Sequence, residues 1–205
     1  MKKLGTYLIL FLILFTGILI WIKSLSYYQP NFSKGYLSDK QLIFDGIFKY
    51  GLYAHIITAP LILFIGSAQI FFRYEFSKRN LHRILGSVYT YGVLLVSAPG
   101  ALVISFYAFG GWYGKSNFIL LSVLWAYFTF KGWSAARSSD LESHRNFMIR
   151  SYVLTVSAIW LRLLLFIFVH YFHWTGPTAY IWTAWLSWLP FLLLTELYIR
   201  TRKIS

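Results

Sequence analysis

The chain has 205 residues, of which 58% are hydrophobic and only 12% are charged, and its mean hydropathy is +0.59. Soluble domains are about half apolar and about a quarter charged, so this composition excludes the soluble globular, disordered and coiled-coil classes. Cysteine is absent, which excludes disulfide scaffolds, thiolate zinc sites, iron–sulfur clusters and cysteine nucleophiles. The net charge of +13 fits basic loops beside anionic lipid better than a nucleic-acid interface, and no nucleic-acid partner is predicted.

Six segments are each long and apolar enough to cross a bilayer, which takes about 20 mainly apolar residues. The sequence therefore predicts an all-α fold: a polytopic membrane helical bundle of six transmembrane helices, forming a single domain over residues 1–205. The first segment is too long for a signal-peptide core, so we expect an uncleaved anchor. The predicted spans are residues 4–22, 51–72, 85–109, 117–136, 151–172 and 180–197.

Lysine and arginine are distributed unevenly between the two sets of loops. Most of the 19 basic residues flank the spans on the side that holds both termini, and few lie in the opposite loops. An excess of Lys and Arg marks the cytoplasmic side of a membrane. Both termini are therefore predicted to be cytoplasmic. The longest polar segment, residues 23–49, would lie outside, with an interfacial helix around residues 42–48.

Two His-Arg pairs are candidates for a cofactor site. His82-Arg83 and His144-Arg145 each follow a short basic loop and are predicted to start helices that leave the cytoplasmic face. The two histidines would lie at similar depth, where imidazoles on facing helices of a bundle can hold a b-type haem. Nearby arginines could bind the haem propionates. The cofactor-binding residues of this hypothesis are His82, Arg83, His144, Arg145, Met148 and Arg150.

A second set of residues that are costly to insert into a membrane is predicted in the outer half of the bundle. An arginine at the centre of a span costs about 2.5–3.5 kcal/mol to insert and normally faces the bundle interior or a wet cavity; Arg162 is such a residue. His55 lies at similar depth, just before Pro60, whose ring would kink the helix and free a backbone carbonyl. The sequence therefore suggests an outer-facing cavity that takes a small molecule or an anion.

The fifth predicted span carries a stripe of small and polar residues with alternating spacings of four and three, which places them on one helical face. Such a stripe either packs against another helix or lines a cavity. Glu196, in the sixth span, is expected to pair with Arg200 one turn further on. No metal site is predicted. The stripe consists of His144, Met148, Ser151, Thr155, Ala158 and Arg162, and the cavity candidates are His55, Ser151, Thr155 and Arg162.

Several stretches resemble a known family. LHRILGSVY at residues 81–89, SHRNFMIRSY at residues 143–152, Leu161-Arg162 and His55 are similar to the bacterial membrane proteins grouped as domain of unknown function 2306. The resemblance covers about residues 50–170 and implies a multi-span helical bundle of the inner membrane, with no activity attached. A fainter likeness to cytochrome b561-type and ferric-reductase-type bundles implies haem held by histidines. Residues 117–136 contain no histidine, so this likeness implies one haem or a quinone site, and not two haems.

These observations leave three hypotheses for the function. The first is a membrane redox component that binds haem b or a quinone at a His- and Arg-lined site. The second is a small-molecule or anion carrier with an outer-facing cavity. The third is a structural or assembly subunit of a larger membrane complex. Without a hydrolase or nucleotide-binding motif in the sequence, any enzymatic role is expected to be that of a membrane oxidoreductase component.

Overall fold

The structure is a computed structural model that describes residues 2–33, 35–71 and 79–204. Within these residues every regular element is helical. Three 3-10 turns and two wider π-helical turns connect or extend the helices: Leu25–Tyr28, Gly35–Leu37 and Gln41–Ile43, then Phe44–Phe48 and Gly92–Ser97. The α-helices are α1 (Lys2–Ser24), α2 (Lys49–Phe71), α3 (Arg79–Tyr91), α4 (Ala98–Ser105), α5 (Gly111–Arg137), α6 (Leu141–His170), α7 (Gly176–Leu186) and α8 (Leu189–Ile204).

Five helical segments are long and apolar enough to cross a membrane. They are Leu4–Tyr28, Gln41–Phe71, Asn80–Ser105, Gly111–Arg137 and Leu141–His170. These segments confirm the predicted all-α membrane bundle and correspond to its first five spans. The fifth begins at Leu141, and not at residue 151, because Asp140 caps α6: its Oδ1 accepts a hydrogen bond from the backbone N–H of Ser143 at 3.0 Å.

The sixth predicted span is not a continuous helix, because α7 and α8 are separated at Ser187 and Trp188. Pro190 follows, and proline cannot donate the backbone hydrogen bond that would join the two helices. It sits in the first turn of α8, where a missing N–H is tolerated. The fully buried Asn117 of α5 supports this break: its amide oxygen accepts hydrogen bonds from the backbone N–H of Trp185 and from Nε1 of Trp188, both at 3.2 Å.

The distribution of buried side chains is that of a membrane protein. Several small polar residues are fully buried, while many large apolar side chains face outward, most of all on α1. In soluble proteins large apolar residues occupy the interior, whereas in a bilayer the apolar surface contacts lipid and small residues let helices approach each other. The chain is therefore a multi-pass membrane protein in contact with lipid. The fully buried polar residues include Ser67, Ser97, Asn117, Thr129, Ser151 and Thr183.

The chain forms two compact units, Met1–Ile104 and Ser105–Ser205. In the first unit, α2 packs against α1, α3 and the turns Gly92–Ser97. In the second unit, α6 packs against α5, α7 and α8. The pairs Trp125–Thr155 and Gly132–His144 show that α6 runs antiparallel to α5. Helix α6 also runs antiparallel to α8, because Arg150 pairs with Glu196 while the start of α6 lies beside the end of α8.

In the first unit, α2 and α4 approach closely at two glycines. A Cβ atom added to Gly100 would lie 2.7 Å from the backbone oxygen of Gly51, so a larger residue does not fit without a backbone shift. Pro99 has no backbone N–H and therefore cannot donate a hydrogen bond to the carbonyl of Leu95. The widened π-helical turns Gly92–Ser97 end two residues before this proline. Such widened turns often occur at functional positions in helices.

Candidate functional site

The polar stripe on α6 packs against α5 over most of its length. The hydroxyl oxygens of Thr129 and Ser151 lie 2.7 Å apart, and Nε1 of Trp125 donates to Oγ1 of Thr155 at 3.0 Å. Thr155 Oγ1 in turn donates to the backbone oxygen of Ser151 at 3.0 Å. Ser151 and Thr155, two of the cavity candidates from the sequence, are thus buried and bonded at a helix–helix contact. Both make the interhelical hydrogen bonds that hold membrane helices together.

The stripe continues to His144 and Met148, which contact α5 at Gly132. His144 Nδ1 lies 2.8 Å from the backbone oxygen of Gly132. Because a carbonyl can only accept, Nδ1 carries a proton and donates this hydrogen bond. Met148 covers Gly132 closely, since a Cβ there would lie 2.6 Å from its Sδ. The glycine therefore lets α6 approach near enough for His144 to bond the α5 backbone.

Arg150 and Glu196 join α6 to α8 through a bidentate ion pair. Arg150 Nε donates to Glu196 Oε1, and Arg150 Nη2 donates to Oε2 at 2.8 Å. The guanidinium also lies 5.2 Å from the ring centre of Phe147 and 5.9 Å from that of Phe128. Glu196 was expected to pair with Arg200; its two carboxylate oxygens instead accept from Arg150, whose planar guanidinium matches them, and Arg200 attracts the carboxylate through its charge. Arg150 is thereby engaged in an ion pair between α6 and α8.

A polar pocket of about 560 Å³ opens one turn beyond this ion pair, where the start of α6 meets the end of α8. Among the described residues, the Nε atom of Arg145 is buried and has no hydrogen-bond partner. Asn146 is also buried, with 8% of its surface exposed. The residues that line this pocket, which we call the basic pocket, are Glu142, Arg145, Asn146, Ile199 and Arg202.

Sequence reasoning identified Arg145 but not its neighbours in the basic pocket. Glu142 has the spacing of an ordinary first-turn acid at a helix start, and Arg202 that of an ordinary flanking cation. Glu142 and Arg202 share a pocket only because α8 runs antiparallel to α6, and the local sequence around each residue does not indicate this packing.

Arg162 lies at the other end of α6. Its side chain is exposed, and Nη1 donates to the backbone oxygen of Ala158, one turn earlier in the same helix, at 2.9 Å. Two ends of the predicted stripe thus have different surroundings: His144 faces α5, whereas Arg162 lies on the outside of its unit. Arg162 thus bonds within its own helix, whereas Ser151 and Thr155 bond across to α5.

The first unit holds the remaining predicted residues. His55 Nδ1 lies 3.1 Å from the backbone oxygen of Ser97, at the end of the π-helical turns, and 3.4 Å from the Ser97 hydroxyl. His82 is half-buried, and its backbone oxygen accepts from Nε2 of Gln69 at 3.0 Å. Arg83 is exposed. His82 and His144 belong to different units, and their pairing around a haem stays a prediction.

Comparison with known proteins supports the family resemblance of the sequence. Neither a curated protein nor a solved structure matches the chain. The model of the family described as "Predicted membrane protein (DUF2306)" matches residues 52–199. This match covers α2 almost from its start, all of α3 to α7 and most of α8, and so includes the basic pocket except Arg202. The chain therefore belongs to this family of membrane proteins with a domain of unknown function.

Proposed function

We propose that this membrane protein binds a small anionic ligand in the basic pocket and acts as an anion-binding component or carrier. The observation that carries the proposal is the buried Nε of Arg145, which has no hydrogen-bond partner within the described residues. A buried donor without an acceptor costs about 1–3 kcal/mol. Arg145 also lines the pocket, so an anion there would offset this cost by pairing with the charge of the same guanidinium group.

The chemistry and size of the basic pocket support the proposal. Arg145 and Arg202 provide two guanidinium groups, whose donors match the oxygens of carboxylates and phosphates. The buried amide of Asn146 adds a neutral donor and acceptor. A volume of about 560 Å³ lies in the usual range of roughly 300–1,000 Å³ for small-molecule sites. The side of the membrane that the charge pattern predicts to be cytoplasmic would supply the ligand.

This proposal moves the anion site away from the position that the sequence favoured. The exposed Arg162 donates to its own helix, whereas Arg145 lies at the opposite end of α6 with a buried, unsatisfied donor. A carrier would therefore take its anion first at the Arg145 end. The Arg150–Glu196 ion pair, one turn deeper, would hold α6 and α8 at a fixed spacing beneath the pocket.

The test is the binding of inorganic phosphate to the purified protein in a non-ionic detergent, measured by isothermal titration calorimetry. Arg145→Gln should weaken binding about 10- to 100-fold, since a hydrogen bond to a charged group contributes roughly 1.5–3 kcal/mol. Arg137→Gln is the matched control: its exposed guanidinium lies 5.0 Å from the ring of Trp133, away from the pocket lining. Equal affinities for the wild type and Arg145→Gln, or no binding by the wild type, would overturn the proposal.

The orientation of His144 favours a second candidate, a haem b site. A histidine that ligates a metal usually donates its other ring N–H to a carbonyl or carboxylate, and the hydrogen bond from Nδ1 to the Gly132 oxygen would leave Nε2 as the ligating atom. Arg145 would then bind a propionate. The reduced-minus-oxidised absorption spectrum of the purified protein tests this candidate. Haem bands that disappear in His144→Phe would support it, and a spectrum without haem bands would remove it.

A further inference from the structure

We infer that the first unit bends at a hinge that crosses α2 and the α3–α4 segment at one level, so that the outer part of this unit tilts against its inner part. The hinge belongs to the first unit alone and goes beyond the proposed function, which concerns the basic pocket of the second unit. Regular backbone hydrogen bonds are missing at matching positions of the two helical segments, and long helices bend where such bonds are missing.

The junction of α3 and α4 lacks two of the hydrogen bonds of a regular α-helix. The backbone N–H of Ala98 donates to the oxygen of Val93, five residues earlier, and so not to that of Leu94, its partner in an α-helix. Pro99 has no N–H to donate to the oxygen of Leu95. Two consecutive carbonyls are thus without their regular donors. Sharp bends in helices occur at prolines and at π-helical turns, and this junction has both.

Pro60 weakens α2 at the same level. It lies in the interior of α2, where it has no N–H to donate to the preceding turn. A Cβ atom at Gly92 would lie 3.3 Å from the side chain of Ile62, and His55 Nδ1 lies 3.1 Å from the oxygen of Ser97. Pro60 falls between these two contact points on α2, so it lies opposite the π-helical turns. The weak points of the two segments therefore coincide.

The outer side of the hinge is held together by contacts of its own. Helices α2 and α4 meet at Gly51 and Gly100, where an added Cβ would lie 2.7 Å from backbone. The hydroxyl of Tyr53 donates to the backbone oxygen of Tyr27 at 3.0 Å, which joins the turns before α2 to its first part. These contacts join three segments, which move together when the hinge bends: residues 25–48, 49–58 and 98–104.

The inner side of the hinge is likewise joined. A Cβ atom at Gly17 of α1 would lie 2.9 Å from the side chain of Leu63, so α1 packs against α2 beyond Pro60. Nε2 of Gln69 in α2 donates to the backbone oxygen of His82 in α3 at 3.0 Å. The inner side therefore consists of α1, residues 61–71 and α3.

The bend is confined to a short stretch of each segment. The hydrogen bond of His55 fixes Ser97, the last residue of the π-helical turns, to the outer part of α2. Bending is therefore left to residues 92–96 and to the turn around Pro60, where the hydrogen bonds that oppose it are already absent. Hinges of this kind absorb the motion of two packed bodies in a few residues.

Paired spin labels measure the bend, and the chain suits them because it has no cysteine. The full chain in nanodiscs carries nitroxides either at Tyr50→Cys and Ile84→Cys, one on each side of the hinge, or at Leu8→Cys and Ile84→Cys, both on the inner side. All three side chains are exposed helical positions. Double electron–electron resonance should give a broader distance distribution for the first pair than for the second.

Alanine at either proline returns an N–H to the helix and should narrow the distribution of the Tyr50–Ile84 pair. Each of Pro60→Ala and Pro99→Ala should lower the bent population about 2- to 10-fold, the factor of one net backbone hydrogen bond. Either change alone should suffice, because both segments must bend together. Alanine is the best helix former, so both variants should fold, and thermal unfolding measured in parallel shows that they do.

Pro190→Ala, in the second unit, is the matched control and should leave the Tyr50–Ile84 distribution unchanged. Narrowing in Pro60→Ala or Pro99→Ala, without narrowing in the control, supports the hinge. A Tyr50–Ile84 distribution as narrow as that of Leu8–Ile84 would overturn the inference. So would a distribution that is unchanged in both hinge variants, or one that narrows equally in Pro190→Ala.

Discussion

At the scale of single residues, the Arg150–Glu196 ion pair is predicted to stabilise the second unit. Arg150→Met would leave the Glu196 carboxylate, about two-thirds of which is removed from solvent, without its guanidinium partner. We expect a loss of about 1–3 kcal/mol, since an unsatisfied polar group costs its desolvation penalty. The measurement is the midpoint of thermal unfolding in detergent, followed by the fraction of monodisperse protein that remains after heating.

The double variant Arg150→Met, Glu196→Leu shows whether the cost comes from the orphaned carboxylate. Replacing both partners of a partly buried pair by apolar residues is often neutral, so the double variant should recover most of the stability that Arg150→Met loses. Arg137→Met, on the exposed end of α5, should leave the midpoint unchanged. A double variant that loses the sum of the two single effects would show that the residues contribute independently.

At the scale of the helices, the close approach of α2 and α4 depends on Gly100. In Gly100→Ala the new methyl group would meet backbone atoms, the Gly51 oxygen at 2.7 Å and the His55 nitrogen at 3.0 Å. Backbone cannot move aside as a flexible side chain can, so we expect a loss of about 1–3 kcal/mol from overpacking. Because His55 bonds Ser97 across the same contact, the change should also speed amide hydrogen exchange in both segments, as mass spectrometry would measure.

Gly86→Ala is the matched control for this substitution. Gly86 also lies in a helix, α3, but a Cβ there meets nothing within 4 Å. Alanine favours a helix over glycine by up to about 1 kcal/mol, so this variant should be as stable as the wild type or more stable. Equal effects of the two substitutions would mean that the spacing of α2 and α4 is not set by glycine.

The helices themselves could be predicted from the sequence, and their junctions could not. Hydropathy finds α1, α2, α5 and α6 because each is a long apolar run, and a bilayer demands such runs. The break between α7 and α8 lies inside an equally apolar run and depends on Pro190 together with the hydrogen bonds that Asn117, far away in the chain, accepts from Trp185 and Trp188. A span prediction that counts apolar residues is hardly changed by one proline, so it does not detect this break.

The candidate site was predictable to the same limited extent. The spacing on α6 identified Ser151 and Thr155 as members of one face, and the structure shows that α5 covers that face. Arg145 stood out as a basic residue beside a histidine. Its pocket depends on side chains from the end of α8, and the pairing of α6 with α8 is a tertiary property. The short-range expectation for Glu196 failed for the same reason: a partner on another helix had better geometry than one a single turn away.

At the scale of the whole molecule, the predicted orientation in the membrane determines from which side the basic pocket receives its ligand. The chain has no cysteine, so single cysteines can be introduced and labelled without a background. Ser138, Thr175 and Thr201 are exposed and lie at the junction of α5 and α6, just before α7 and near the end of α8. The charge pattern predicts Ser138 and Thr201 on the cytoplasmic side and Thr175 outside.

Labelling with a membrane-impermeant maleimide in intact spheroplasts checks this orientation. Thr175→Cys should be labelled at once, whereas Ser138→Cys and Thr201→Cys should be labelled only after the membrane is permeabilised. The reverse pattern would place the basic pocket outside and overturn the predicted topology. If Thr201→Cys were labelled together with Thr175→Cys, α7 and α8 would not cross the membrane as a pair. Since the pocket needs Arg202 at the same end of the unit as Arg145, that outcome would also contradict the arrangement on which the anion site depends.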